Sequence, residues 1–296
     1  MRVLIAYDGS AGAAQAVALA EGIDWPAGSM LRVVSVMEPT AIHLLPWSPG
    51  IADTEGLEED VRSSIEADQA TIVARLAGPN RVVDSALVRD RPATGLIDQT
   101  GEFAADLVIV GSRGHGSIAS LLLGSVSAEV VDHVPCPTLV ARGSTIARVV
   151  FATDGSETAA AAEDVLARWP IFSGLPIRVV SVADVVRPWA TGIAPTMYTQ
   201  VLNAYAKDVA EAEAAHLEVA RASTNRLVAA GRRAEASMVR GDAAAEIIAV
   251  ANESDADLVV VGSRGQTGLK RIVLGSVARN VLAAGETSVL VVHSAR

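Results

Sequence analysis

Cysteine occurs once in the 296-residue chain, at Cys136, which excludes an intrachain disulfide and any metal site built from several thiolates. Aromatic residues make up only 3% of the chain although 50% is hydrophobic, so the core has to be filled with Val, Leu, Ile and Ala. That filling suits short buried parallel strands lying under helices. Cations are in deficit, with 24 Lys and Arg against 34 Asp and Glu, a formal net charge of −10. Nucleic acid and anionic membrane both require a basic surface, so neither is expected as the main partner. No apolar run approaches the roughly 20 residues that a membrane helix needs. Met1 leads directly into the strand-like Val3-Leu4-Ile5-Ala6, which leaves no room for a signal peptide and makes a cytoplasmic protein the expectation. Catalytic signatures are missing too: there is no Gly-x-x-x-x-Gly-Lys-Ser/Thr loop, no His-Glu-x-x-His and no Gly-x-Ser-x-Gly elbow.

What is present is a duplication. Ala105-Asp106-Leu107-Val108-Ile109-Val110-Gly111-Ser112-Arg113-Gly114 returns as Ala256-Asp257-Leu258-Val259-Val260-Val261-Gly262-Ser263-Arg264-Gly265. Leu123-Gly124-Ser125-Val126 returns as Leu274-Gly275-Ser276-Val277, and Asp8-Gly9-Ser10 as Asp154-Gly155-Ser156. The offset grows from 146 (154 − 8) to 151 (262 − 111), so the second copy carries a net insertion of five residues. Two domains follow, 1–143 and 146–296, with a seam near Gly143-Ser144-Thr145.

Within each half, short Val/Leu/Ile runs alternate with stretches of helical periodicity. Strands are expected at 2–7, 31–37, 82–88, 107–110 and 137–141, and helices at about 11–22, 56–77, 93–104 and 124–133. The second half repeats the strands near 148–152, 177–182, 234–239, 258–261 and 288–292, with a long Ala/Glu-rich helix over about 197–231 that accommodates the extra residues. The fold class is therefore α/β: two doubly wound, Rossmann-like, five-stranded parallel-sheet domains in tandem. The last strand of each half is apolar, and pairing between those edges would make an intrachain pseudo-twofold dimer.

In an open parallel sheet, ligands bind at the carboxyl ends of the strands, where the strand order reverses. Asp8 and Asp154 follow the first strand of their halves; Gly111 and Gly262 close the fourth. If those strands are neighbours, carboxylate and glycine loop share one crevice. Glycine allows close approach and positive φ at Gly111, Gly114, Gly262 and Gly265. Gly124-Ser125 and Gly275-Ser276 place backbone N–H groups and a hydroxyl at a helix start, a favourable place for phosphate. The carboxylates can accept from ribose hydroxyls, as acidic residues do in other doubly wound folds. Each feature also has a plain structural explanation: strand-end glycines serve turns, Asp-Gly-Ser caps helices, and exposed arginines such as Arg113 and Arg264 are solvated.

The spacing Gly-x-x-Gly, nine residues, Gly-Ser resembles the nucleotide-binding motif of the universal stress protein family, in its ATP-binding branch. The resemblance covers nearly the whole chain twice and includes Asp-Gly-Ser and Pro135-Cys136-Pro137. It implies an adenine nucleotide α-hydrolase-like fold, with ATP as the ligand of each domain and no dedicated catalytic residue. Asp8 and Asp154 would lie near ribose, the backbone of Val36 and Val182 near adenine, and Gly111, Gly114, Gly262 and Gly265 near ribose and phosphate. Gly124, Ser125, Gly275 and Ser276 would meet the phosphates. It further implies a cytoplasmic stress-response regulator that dimerises. Slow ATP turnover, helped by Mg²⁺ on the phosphates, stays open as the alternative.

Several departures accompany the match. Asp90 stands where the second half has Gly241, so that loop is expected to differ. Gly285-Glu286-Thr287-Ser288 replaces Pro135-Cys136-Pro137-Thr138, which puts the edge contacts of the last strand in question. Lys270-Arg271 stands where the first half has Ala119-Ser120, two added cations expected to favour a polyphosphate in the second site. His115 has Gln266 as its counterpart and reads as a surface histidine, while the segments around Trp47 and Trp189 follow the second strands as candidate lids or packing elements.

Overall fold

The computed structural model of the chain describes residues 1–38, 54–114, 123–184, 195–265 and 274–294, with side chains throughout except at 54–55 and 195–204. The first half runs β1 (Arg2–Ala6), α1 (Ala11–Gly22), β2 (Ser29–Met37), α2 (Thr54–Leu76), β3 (Arg81–Arg89), α3 (Pro92–Glu102), β4 (Leu107–Gly111), α4 (Ser125–His133) and β5 (Thr138–Ala141). The second runs β6 (Val149–Ala152), α5 (Glu157–Arg168), β7 (Pro176–Ala183), α6 (Pro195–Ala229), β8 (Arg233–Arg240), α7 (Ala243–Glu253), β9 (Leu258–Gly262), α8 (Ser276–Ala284) and β10 (Ser288–Val292). Among the described residues no helix is long and apolar enough to cross a membrane.

Every expected strand forms. The strands share one ten-stranded sheet in the order β3-β2-β1-β4-β5-β10-β9-β6-β7-β8. Inside each half all pairings are parallel, and β1 lies against β4 as β6 lies against β9. The halves meet where β5 and β10 run antiparallel, with Leu139 opposite Leu290, flanked by Val140–Val289 and Thr138–Val291. Leu139 and Leu290 occupy equivalent places in the two repeats (139 + 151 = 290), so a local twofold passes between them. Both are buried, each contributing roughly 2 kcal/mol relative to exposure.

Strand alternation feeds two cores, one on each face of the sheet. Val3, Ile5, Leu107 and Ile109 pack with α1, α2, α5 and α6, whereas Leu4, Val108 and Val110 pack with α3, α4, α7 and α8. Each core contains residues of both repeats, so the duplicated sheets are also joined by side-chain packing.

Helix starts follow local chemistry. Ser10 and Ser156 cap α1 and α5, accepting from the amides of Ala13 (3.2 Å) and Ala159 (3.3 Å). Asp242 caps α7 through Ala245 N–H at 2.9 Å. By contrast α4 and α8 begin after Gly124 and Gly275 with no side-chain cap. Helix α4 starts one residue later than expected because Gly124 is extended, with ψ 154°. Those two helix starts are the ones expected from the sequence to face phosphate.

Candidate functional site

Strand order reverses between β1 and β4, since the chain winds outward to β2 and β3 before returning to the other side of β1. The crevice beyond that switch point is a cavity of about 490 Å³, within the roughly 300–1,000 Å³ usual for small-ligand sites. Asp8, Val36, Gly111, Gly114, Gly124 and Ser125 all border it, so each residue nominated in the first repeat reaches one hollow. Tyr7, Val34, Leu96 and Arg113 border it as well. Val34 and Leu96 make part of its wall apolar, suited to a planar base.

The Asp-Gly-Ser turn is built around the carboxylate. Asp8 Oδ1 accepts from the Ser10 amide at 3.0 Å, and Asp154 Oδ1 from that of Ser156 at 2.9 Å. Between them Gly9 and Gly155 take φ of 81° and 74°, the left-handed region that a β-carbon disfavours. The glycine loops differ from expectation in one respect: none of Gly111, Gly114, Gly262 and Gly265 has positive φ. Close approach is their reason. A β-carbon at Gly114 would stand 2.7 Å from Asp8 Oδ2, and one at Gly265 would stand 2.9 Å from Asp154 Oδ2. One at Gly111 would overlap the Gly12 backbone, and one at Gly262 would stand 2.5 Å from Thr158 Oγ1. Carboxylate and loop are therefore juxtaposed in both repeats.

The end of the site expected to meet phosphate is an open helix start. Gly124 N–H donates to Ser112 O at 2.8 Å, and Gly275 N–H to Ser263 O at 2.7 Å. Those amides are used within the loop, so the donors available to an anion begin at Ser125 and Ser276 and continue through the first turn. A β-carbon at Gly124 would make only ordinary contacts among the described residues, the nearest with Arg113 Cα at 3.5 Å. The residues present fit a nucleotide: uncapped amides and positive helix dipole for phosphate, carboxylate for sugar, apolar wall for base.

The second repeat reproduces these backbone relations through Asp154, Gly262, Gly265, Gly275 and Ser276, and Val182 is the penultimate residue of β7 as Val36 is of β2. It braces its loop differently. Thr158 replaces Gly12, and its hydroxyl donates to Arg264 O and accepts from Arg264 N–H at 3.2 Å. In the first repeat a β-carbon at position 12 would overlap the Arg113 carbonyl, and Ser10 Oγ alone of the two positions reaches that oxygen, at 3.2 Å. Ser127 Oγ also donates to Gly111 O at 2.7 Å, where the second repeat has Ala278.

Of the departures, Asp90 and Gly241 keep the same backbone bond, to Met37 O and Ala183 O, both at 3.2 Å. The loops still differ, since Gly241 takes φ of 153°. The edge of the last strand is intact: Arg142 N–H and Gly143 N–H donate to Ser288 Oγ at 3.1 and 3.2 Å. His115, Gln266, Ala119-Ser120, Lys270-Arg271 and the Trp47 and Trp189 segments lie outside the described residues.

Sequence reasoning missed the residues just beyond β5 and β10. Arg142 donates to the carbonyls of Thr287 (3.1 Å) and Leu282, reaching α8 of the other repeat. Its counterpart His293 meets Val131 O of α4 at 3.0 Å. Leu282 and Val131 are themselves equivalent (131 + 151), so the pair obeys the local twofold. Burial, with Arg113 adding repulsion, pushes Arg142 down to about 10, which leaves it cationic at neutral pH. Burial lowers His293, with Arg264 adding to the shift and Val131 O and Asp132 opposing it. Aligning the repeats would have marked both as polar residues after the final strand. Tyr7 is raised by burial, then by Asp68 and Asp8, so its phenol keeps its proton. Cys136 is pushed up to about 12 by burial and is no thiolate nucleophile.

The universal stress protein family model matches residues 1–142 and again 145–293. A universal stress protein of Thermus aquaticus is 36% identical over 140 residues, 47% of this chain and 97% of that one. One from Mycolicibacterium smegmatis is 27% identical over 304 aligned positions, covering 98% of this chain and 96% of its own. Among solved structures, a universal stress protein from Archaeoglobus fulgidus superposes with a TM-score of 0.67 at 19% identity, over 99% and 96% of the two chains. The chain belongs to the universal stress protein family, with the family's unit present twice.

Proposed function

We propose that each repeat binds one adenine nucleotide, ATP in the leading case, and that the chain is a cytoplasmic, nucleotide-responsive regulator of stress physiology. One observation carries the reading: Asp8, Val36, Gly111, Gly114, Gly124 and Ser125, nominated from sequence, border a single cavity at the switch point. In that arrangement Asp8 and Asp154 hold ribose, the ends of β2 and β7 at Val36 and Val182 flank adenine, and the first turns of α4 and α8 hold phosphate. Occupancy of the sites then shifts association with a partner. Mg²⁺ would enter on the phosphates.

Titration calorimetry with ATP on the full chain is expected to resolve two sites. Ser125→Asp and Ser276→Asp each put a carboxylate where phosphate would lie, and each should remove one site, weakening it by at least about tenfold. An acidic residue at a helix start favours the helix, so lost binding would not report unfolding. Failure of ATP, ADP and AMP alike to bind the unaltered protein at about 1 mM would overturn the reading.

A further inference from the structure

We propose that the turn entering α8 is completed by the first repeat, with Asp132 of α4 as a positioning residue for the second nucleotide site; this rests on the nucleotide reading above. Asp132 Oδ1 accepts a long bond from Leu274 N–H at 3.4 Å and meets Arg279 Nη2 at 3.5 Å. Leu274 precedes Gly275-Ser276 and Arg279 lies in the first turn of α8. One carboxylate of the other repeat therefore touches both ends of the turn that would cradle phosphate. His293 joins α4 one residue earlier, at Val131 O, and the backbone of Val292 beside it accepts from Ser263 N–H at 2.8 Å. The contact thus lies in a fastened interface and not on a loose surface.

The arrangement is one-sided. Asp132 corresponds to Ala283 and Arg279 to Ala128 (each offset by 151), so the second repeat offers the first loop no equivalent carboxylate. Helix α4 starts at Ser125, in the first crevice, and Asp132 lies seven residues on, about 10 Å along the axis. Helix α4 therefore spans from the first crevice to the turn that precedes α8.

Two measurements test this on the full chain. In ligand-free protein, Asp132→Ala should speed hydrogen exchange across 274–279 while leaving 123–128 unchanged, and Asp132→Asn, which keeps an acceptor, should restore protection. With Ser125→Asp silencing the first site, Asp132→Ala should weaken ATP at the second by about 3- to 10-fold, and Asp132→Asn should recover most of it. Unchanged exchange at 274–279 overturns the brace whether or not nucleotide binds. Unchanged or tighter ATP binding in Asp132→Ala overturns its role in the site, since a mere nearby negative charge would repel phosphate. If no variant binds ATP while exchange responds as expected, the nucleotide reading falls and with it the site role, leaving only a structural brace.

Discussion

The two repeats share one frame of first-strand carboxylate and loop glycines and differ in what holds it. In the first, Gly12 allows α1 to press against the Arg113 carbonyl, and Ser127 ties the end of β4 to α4. In the second, Thr158 bonds Arg264 at both its carbonyl and its amide, and α8 has Ala278 in place of the serine. A parallel difference lies deeper. Glu163, buried on α5, is bound by Ser223 and Arg226 of α6, where α1 carries Val17 against its core. Sheet order and glycine frame set the crevice, and the tethers around it are free to vary.

Exchanging the tethers breaks this comparison most sharply. Gly12→Thr should cost about 3 kcal/mol, because the added β-carbon overlaps backbone that cannot swing away. A fall in the thermal midpoint by several degrees would show it; a midpoint like the parent's would mean that α1 can retreat without loss. Arg226→Ala should come next, at about 1–3 kcal/mol, since it strips charge-assisted bonds from the buried Glu163 carboxylate. Glu163→Val, which imitates the first repeat, should be nearer neutral in chemical denaturation, because a packed apolar group replaces a desolvated charge. Ser127→Ala, imitating Ala278, should cost about 1 kcal/mol by leaving Gly111 O without its hydroxyl donor.

The smallest effect concerns acid. His293 is held below its ordinary value, so the unfolded chain binds the proton more readily than the folded one. Its stabilisation is full above about pH 6.5 and is lost as pH falls through the lowered folded value. Thermal midpoints of His293→Gln between about pH 7 and pH 5 should fall less steeply than the parent's. Arg142 at the equivalent place offers the control, since it stays charged throughout that range.

The strand runs, the β1–β4 switch point and both glycine frames were legible because buried parallel strands leave unbroken Val/Leu/Ile runs and strand ends leave glycines. Pairing of β5 with β10 was legible for a related reason: two apolar last strands need covering. The reason for the loop glycines was half legible, since close approach to Asp8 and Asp154 holds while positive φ belongs to Gly9 and Gly155. Asp132, Arg142 and His293 were not. Their partners lie 140 or more residues away in the other repeat, and no local spacing encodes a contact made only after two sheets join. The use of the Gly124 amide within the loop was not legible, because Ser112 O is brought to it only when the chain folds back.

The antiparallel seam at Leu139 and Leu290 has a consequence for concentration. Because both partners belong to one polypeptide, their encounter is unimolecular, and a short connection between β5 and β6 keeps each at a high local concentration near the other. Dilution that would separate two independent chains leaves this junction closed, so the contacts made across it survive at the lowest copy number.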